Sequence, residues 1–249
     1  MGSSSGVDPR AHHVVAMKQT GRLFLAGTVA LGAGLVACAI ACGSRSRLIE
    51  IRRSFRTSSS PGAAAYDVVA GLLLGGYYDD IAADCAATLD GVDSPAILEV
   101  GPGPGHLAER LLSLLPDGRW TGLDIDRAML DTAERRLADE GLEARSMAVE
   151  GDVTALPFDD ESFDLVVSSL SAHHWSDAAA GFREIRRVLR PGAPALVFDV
   201  PEAWGHAETG FLGLGAASAV FDQPVRTRMR GLGPWTLIWR LELRSAEDA

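Results

Sequence analysis

The sequence predicts an α/β domain whose seven-stranded, mostly parallel sheet is covered by helices on both faces, and which follows a transmembrane helix. Two observations predict this fold class. From residue 96 onward, short apolar strands alternate with amphipathic helices, which is typical of right-handed βαβ units. Ahead of them, residues 23–42 carry no charge, and a helix rising about 1.5 Å per residue would span about 30 Å there, the thickness of a bilayer's hydrocarbon core.

The elements of the predicted domain follow a regular order. Residues 64–89 show helical spacing of apolar side chains, interrupted near Gly75 and Gly76, and predict two helices ahead of the sheet. The chain after residue 200 predicts one more helix and a terminal pair of strands near residues 225–230 and 236–243. Between them, strands are predicted at residues 96–100, 120–124, 144–150, 163–169 and 195–200, and helices at residues 105–115, 127–140 and 176–189.

Charge is distributed unevenly along the chain. Residues 1–60 contain eight basic and two acidic side chains, whereas the rest contains 15 basic and 31 acidic ones. An acidic domain repels phosphate backbones, so no nucleic acid partner is expected. The three cysteines form no CxxC pair, so neither a thiolate zinc site nor a disulfide framework is predicted. No other feature calls for a metal.

Four segments are predicted: a disordered tail at residues 1–22, a transmembrane helix at residues 23–42, a basic linker at residues 43–62 and the folded domain at residues 63–249. More arginines follow the apolar run than basic residues precede it, so the positive-inside rule places a membrane-anchored domain in the cytoplasm. Two alternatives stay open. The run is a cleaved N-terminal signal, with a lipoprotein-like processing box at residues 35–38 and Met17 instead of Met1 as the start, or it is a buried soluble helix.

The strongest functional signal is EVGPGPG, residues 99–105, where an apolar strand enters a glycine-rich turn and then a helix. Such a turn lets backbone approach a ligand closely and presents the N–H groups of a helix start. Asp124 ends the second predicted strand, where an acid can accept hydrogen bonds from ribose hydroxyls. Asp126 is expected to cap the following helix. Asp152 follows the third strand, where a carboxylate can meet the exocyclic amine of adenine.

Together with GLDIDRAML (residues 122–130), EGDVTALPFDDESFDLVVSS (residues 150–169) and REIRRVLRPG (residues 183–192), the turn resembles the class I S-adenosylmethionine-dependent methyltransferases of the small-molecule type. The resemblance covers roughly residues 96–200. It implies a Rossmann-like fold, S-adenosyl-L-methionine as cofactor and methyl transfer to a small-molecule acceptor. It also implies a set of cofactor contacts: Glu99, Gly101, Gly103 and Gly105 around the methionine part, Asp124 on the ribose, Ile125, Met129, Asp152 and Val153 around the adenine, and Ser169 near the sulfonium.

Catalysis of methyl transfer from a sulfonium rests on alignment, and a base is needed only where the acceptor must lose a proton. His174 and His173 follow the fourth predicted strand, at the edge where such sheets bind ligands, and are the candidates for a base or an acceptor contact. The alternative for each is a loop or helix-start hydrogen bond. Asp199 and Trp204, after the fifth strand, and the tyrosines of the preceding helices are further candidates for lining the acceptor pocket.

Two other functions stay open. The chain could be a non-catalytic, membrane-tethered protein that binds the cofactor. It could also be a nicotinamide-dependent oxidoreductase, although the glycines run G-x-G-x-G two residues after Glu99 and not G-x-G-x-x-G after an all-apolar strand. A membrane anchor would favour an acceptor dissolved in the membrane, such as a lipid or a quinone-like molecule. The oligomeric state is not determined by the sequence.

Overall fold

The computed structural model describes residues 61–199, 214–221, 225–229 and 238–244. Their elements are, in chain order, α1 (Pro61–Thr88), β1 (Ala96–Val100), α2 (His106–Leu114), β2 (Arg119–Asp124), α3 (Arg127–Asp139), β3 (Ser146–Glu150), β4 (Leu165–Ser169), α4 (Ala178–Val188), β5 (Pro194–Asp199), α5 (Leu214–Ser218), β6 (Val225–Met229) and β7 (Ile238–Arg244). Two 3₁₀ turns, Glu143–Arg145 and Ala172–His174, precede β3 and follow β4.

The strands form one seven-stranded sheet in the order β3-β2-β1-β4-β5-β7-β6. Strands β1 to β5 pair in parallel, while β7 runs antiparallel to both β5 and β6. The strand order reverses between β1 and β4, and ligands bind such sheets in the crevice beyond the carboxyl ends of the strands at this point. The predicted seven-stranded, mostly parallel sheet is therefore confirmed for the described residues.

Helices cover both faces of the sheet because successive side chains of each strand point to opposite faces. On one face, Ile97, Leu165 and Val167 pack with buried side chains of α1 and α2. On the other face, Leu98 and Val166 pack with the apolar side of α4. The strands β1, β4 and β5 are thus buried on both sides, which explains why their sequences are apolar except for Glu99 and for the polar residues at the carboxyl ends of β4 and β5.

Helix α1 differs from the prediction of two helices, because it runs unbroken through Gly75 and Gly76. A glycine in a helix interior costs only about 1 kcal/mol relative to alanine, and packing against the sheet offsets a penalty of that size. Packing does not require glycine at position 75, since a Cβ there would make an ordinary contact, 3.7 Å from Nη2 of Arg110 on α2. The helix includes residues 61 and 62, which the sequence analysis assigned to the linker.

The other predicted elements are confirmed with small shifts of their ends. The predicted strand at residues 144–150 begins with a 3₁₀ turn, so β3 starts at Ser146. The predicted strand at residues 163–169 contributes only an isolated bridge between Phe163 and Leu189 before β4 begins. None of the described helices combines the length and the apolar character of a membrane span, and the predicted transmembrane helix at residues 23–42 lies outside the described residues.

Candidate functional site

The glycine-rich turn joins β1 to α2 and adopts a backbone that side chains disfavour. Gly101, Gly103 and Gly105 have φ values of 71°, 53° and 80°, in the left-handed region that glycine enters without steric cost. A Cβ at Gly105 would lie 2.9 Å from the Cβ of Ala133 on α3, and one at Gly101 would lie 2.0 Å from Oγ of Ser171. The turn is therefore held tightly between α3 and the segment that follows β4.

Glu99, in β1 just before the turn, is buried and accepts a 2.8 Å hydrogen bond from Nε1 of Trp120. The register of the two strands places Gly122 opposite Glu99. A Cβ at Gly122 would lie only 2.2 Å from the Trp120 ring, so the absent side chain lets the indole lie across β2 and reach the carboxylate. Glu99 was predicted from the sequence, whereas Trp120 was not, because no local pattern marks it.

The electrostatics of Glu99 suit a positively charged ligand. Burial raises the pKa of Glu99 to about 8, the Trp120 hydrogen bond opposes that rise, and the negative charge of Asp124 adds to it. In this environment the neutral acid is favoured over the carboxylate, unless a nearby cation stabilises the negative charge. The position therefore matches the expected contact with the methionine part of a sulfonium cofactor.

Asp124 and Asp126 have separate roles at the end of β2. Asp124 accepts hydrogen bonds from the backbone N–H of Gly103, at 3.3 Å, and from that of Asp126, at 2.9 Å. Burial raises its pKa, and these backbone donors partly oppose the rise. Asp126 caps α3 by accepting from the N–H of Ala128, as predicted. A carboxylate has about four acceptor positions, so Asp124 retains capacity for ribose hydroxyls.

The end of β3 lies directly beside the end of β2. The N–H of Gly151 donates to the carbonyl of Asp124 at 3.0 Å, which brings the loop carrying Asp152 next to the ribose candidate. Oδ1 of Asp152 accepts 2.8 Å hydrogen bonds from both the N–H and the hydroxyl of Thr154. Val153 is buried in the core beneath α4. The two acids predicted to hold adenosine are thus brought together by the strand order.

Apolar surface is exposed at the same edge. Ile125 follows Asp124 and is 73% exposed, while Met129 in the first turn of α3 is half-buried. A large aliphatic side chain exposed beside two acids that point to a nucleoside suits a contact with a flat base. Ile125 and Met129, two of the four residues predicted around the adenine, thus lie close in the chain to Asp124.

The carboxyl end of β4 is covered by α1. Oγ of Ser169, the last residue of β4, donates to the hydroxyl of Tyr77 on α1 at 3.3 Å, and both side chains are buried. The next residue, Leu170, has a φ of 52°, which is unusual for a branched side chain and is a form of strain found at functional sites. This left-handed residue turns the chain from β4 into the 3₁₀ segment that carries the histidines.

The two histidines differ in their surroundings. Nδ1 of His173 lies 2.7 Å from Oδ1 of Asp199, and the backbone N–H of His173 donates to Oδ2 of the same carboxylate at 2.9 Å. Asp199 is buried at the end of β5, next to β4 in the sheet. His174 is exposed, and the centroid of its ring lies 4.0 Å from that of His173. The geometry therefore favours His173 as a base, although the sequence analysis ranked His174 first; Trp204 lies outside the described residues.

With this geometry in view, comparisons with known proteins are informative. Residues 97–192, from β1 through α4, match the family model described as a methyltransferase domain. The chain is similar to the bifunctional biotin-biosynthesis protein BioHC of Teredinibacter turnerae, with 30% identity over 195 residues that make up 71% of this chain and 34% of that protein. It is also similar to the demethylmenaquinone methyltransferase of Chlorobaculum tepidum, with 32% identity over 152 residues, 59% of this chain and 60% of that protein. The chain spans about a third to three fifths of the length of these curated relatives.

Solved structures agree with the sequence relatives. A structure from Methanococcus maripaludis, named as an S-adenosylmethionine-dependent methyltransferase, superposes with a TM-score of 0.60 at 25% identity. The superposition covers 76% of this chain and 93% of that one. The matched family range contains the glycine turn, Asp124, Asp152 and both histidines, whereas α1 and Asp199 lie outside it.

A Glu99→Gln variant tests the buried carboxyl through the pH dependence of stability. The folded protein retains the Glu99 proton that the unfolded chain has lost, so this group makes folding less favourable as pH rises from about 4.5 to about 8. Glutamine still accepts from Trp120 but does not titrate. We measure the free energy of unfolding of both proteins in urea. We expect the value for the variant minus the value for the wild type to increase over this pH range and to stay constant above it.

The control is Glu140→Gln, at the exposed carboxyl end of α3, for which we expect a small effect on stability throughout. A difference between wild type and Glu99→Gln that does not change with pH would show that Glu99 has the same protonation in the folded and unfolded states.

Proposed function

We propose that this chain, whose residues 97–192 form a class I S-adenosylmethionine-dependent methyltransferase domain, transfers a methyl group to a small acceptor that must lose a proton during the reaction. S-adenosylmethionine is the cofactor of this class of domain. The observation that carries the proposal is the His173–Asp199 pair at the carboxyl end of β4. His173 of this pair lies two residues after Ser171, whose side chain packs directly against Gly101 of the glycine turn.

The residues present fit S-adenosylmethionine. Glu99 offers a buried carboxyl whose ionised form a positive charge would stabilise, and Asp124 offers hydrogen-bond acceptors for the ribose hydroxyls. The left-handed glycines give a turn whose backbone can approach a ligand closely. The bound cofactor supplies an electrophilic methyl group on positively charged sulfur, and the tasks left to the chain are to hold it, align the acceptor and remove the acceptor's proton.

His173 is arranged for that proton transfer. When Nδ1–H donates to Asp199, the tautomer that results leaves the Nε2 lone pair as an acceptor. The two hydrogen bonds to one buried carboxylate, from Nδ1 and from the backbone N–H, fix the plane of the ring. Asp199 also stabilises the imidazolium that forms when Nε2 takes a proton. This arrangement favours a hydroxyl or an acidic ring carbon over a carboxylate, since a carboxylate needs no base.

The proposal includes a membrane location and a membrane-dissolved acceptor of quinone-like chemistry. Its support is the uncharged run at residues 23–42 with its basic flanks, and the name of a relative that acts on demethylmenaquinone. In this arrangement the anchor keeps the cytoplasmic domain at the surface from which such an acceptor is reached.

Cofactor binding is tested by calorimetric titration of the full-length chain with S-adenosylmethionine. We expect saturable binding that weakens about tenfold or more in Asp124→Ala, because the ribose loses a charged acceptor. The matched control is Asp126→Ala, which removes the α3 cap at a cost of about 1 kcal/mol in stability and retains the affinity. No binding by the folded wild type would refute the proposal. Binding without transfer to any acceptor would favour a non-catalytic binding protein.

The base is tested by comparing His173→Asn with His174→Asn in methyl-transfer assays. We expect His173→Asn to lower kcat about 100-fold or more while the Kd for S-adenosylmethionine changes little, because general-base catalysis contributes that much to proton transfer. Asp199→Asn should also lower kcat, because it leaves the imidazole without its charge partner. A larger loss for His174→Asn would transfer the role to that residue, and equal, small losses would argue for an acceptor that needs no base.

The membrane location is tested by cell fractionation with an alkaline wash. We expect the full-length chain to remain with the membranes, and the double variant Leu31→Arg/Val36→Arg to leave them, because each arginine at the centre of a spanning helix costs about 2.5–3.5 kcal/mol. A wild-type chain found in the soluble fraction would refute the anchor. A mature N-terminus at Cys38 by mass spectrometry would show the cleaved signal instead.

A further inference from the structure

Arg136, on the inner side of α3, is a charged residue in the protein interior with only 1% of its surface exposed. Its guanidinium donates in three directions. Nε donates to the carbonyl of Pro104 at 3.0 Å, Nη1 to Oε2 of Glu109 at 3.1 Å, and Nη2 to Oδ1 of Asp67. A buried charge is tolerated only when it is paired and hydrogen-bonded. Arg136 and its partners therefore form one hydrogen-bonded cluster.

The cluster joins three helices at one point. Asp67 is a fully buried residue of α1, and its Oδ1 also lies 2.7 Å from Nε2 of His106, the first residue of α2. The ring of Tyr78, about three turns after Asp67 in α1, stacks on His106 with a centroid distance of 5.6 Å and an interplanar angle of 12°. The carboxylate of Asp67 is thus the shared partner of a cation from α3 and an imidazole from α2.

The neutral partner of Arg136 lies inside the glycine turn. Pro104 stands between Gly103 and Gly105, and because proline has no N–H, its carbonyl is its one backbone hydrogen-bonding group. Ala133, one turn before Arg136 on α3, is the residue that a Cβ at Gly105 would strike. Helix α3 therefore contacts the turn twice, through packing at Gly105 and through the Arg136 hydrogen bond at Pro104.

We infer that Arg136, with Asp67 as its charge partner, is a positioning residue for the cofactor: it holds the Pro104 carbonyl and so fixes the backbone of the glycine turn where α2 begins. This inference rests on the proposed function, since it concerns the same cofactor site. It adds α1 to that site, because Asp67 lies outside the family's matched range. The role requires the forked geometry of arginine, which a single lysine ammonium cannot reproduce at three partners.

A second ion pair provides the comparison that separates positioning from general stabilisation. Arg240 of β7 donates through Nε to Oδ2 of Asp84 at 2.5 Å and so also ties α1 to the rest of the domain. Within the described part of the chain, neither Arg240 nor Asp84 forms a hydrogen bond or an ion pair with the glycine turn. Arg136→Lys and Arg240→Lys thus each weaken one ionic attachment of α1, and only the first releases Pro104.

The experiment measures the full-length wild type and both variants in two ways. The first is the Kd for S-adenosylmethionine by calorimetry, and the second is hydrogen exchange at the amides of Gly101, Gly103, Gly105 and His106 without cofactor. We expect Arg136→Lys to raise Kd about tenfold or more and to speed exchange in the turn. We expect Arg240→Lys to leave both within about twofold of the wild type, even where it lowers Tm by a similar amount.

A folded Arg136→Lys with unchanged Kd and unchanged exchange in the turn would overturn the inference, as would equal changes in both variants. A wild type that binds no S-adenosylmethionine would overturn the proposed function instead, and the exchange data would still decide whether Arg136 holds the turn. Where Arg136→Lys fails to fold, Asp67→Asn/Arg136→Gln replaces it. That pair removes the two fully buried charges together, while the half-buried Glu109 loses Arg136 as a partner. The same changes in Kd and exchange are expected because the shorter amide does not reproduce the guanidinium's contacts.

Discussion

The backbone of the glycine turn is the constraint on which the rest of the site depends. Three of the five residues from Gly101 to Gly105 adopt left-handed dihedrals, and one hydrogen bond closes the turn internally, from the N–H of Gly105 to the carbonyl of Pro102 at 3.1 Å. The surroundings also hold its shape: the N–H of Gly101 donates to the carbonyl of Leu123 at 2.8 Å, Ala133 packs against Gly105, and Arg136 binds Pro104. The backbone of the turn therefore depends on the sheet and α3 being in place.

Three buried or half-buried acids lie near this turn, and they differ in whether a cation of the protein compensates their charge. Asp67 has a cation of its own in Arg136, so its charge is compensated within the fold. Glu99 and Asp124 instead receive only neutral donors among the described residues, from Trp120 and from backbone N–H groups, and burial raises the pKa of both. Uncompensated buried acids make folding less favourable. This is the pattern expected where a positively charged ligand completes the electrostatics of a site.

The sheet was predictable to within a few residues, because β1, β4 and β5 are buried on both faces and are mostly apolar. The break predicted at Gly75 and Gly76 was wrong, because local propensity favours a break while packing of α1 against Arg110 and the sheet favours continuity. In the site, the glycines, Asp124 and the cap at Asp126 carry local signals. Trp120, Tyr77 and Arg136 do not, since their site partners lie 21 to 92 positions away in the chain.

The sequence by itself determined the order of the strands and helices, the turn with its following acids and hence the class of cofactor, because each of these is a short-range pattern. Only the tertiary structure decided which histidine pairs with Asp199 and which helix supports the turn. His173 and Asp199 are 26 positions apart and meet because β4 and β5 are neighbours in the sheet. Two adjacent histidines look alike in a sequence, but after the left-handed turn at Leu170 the imidazole and the N–H of His173 both meet the carboxylate at the end of β5, whereas His174 is exposed.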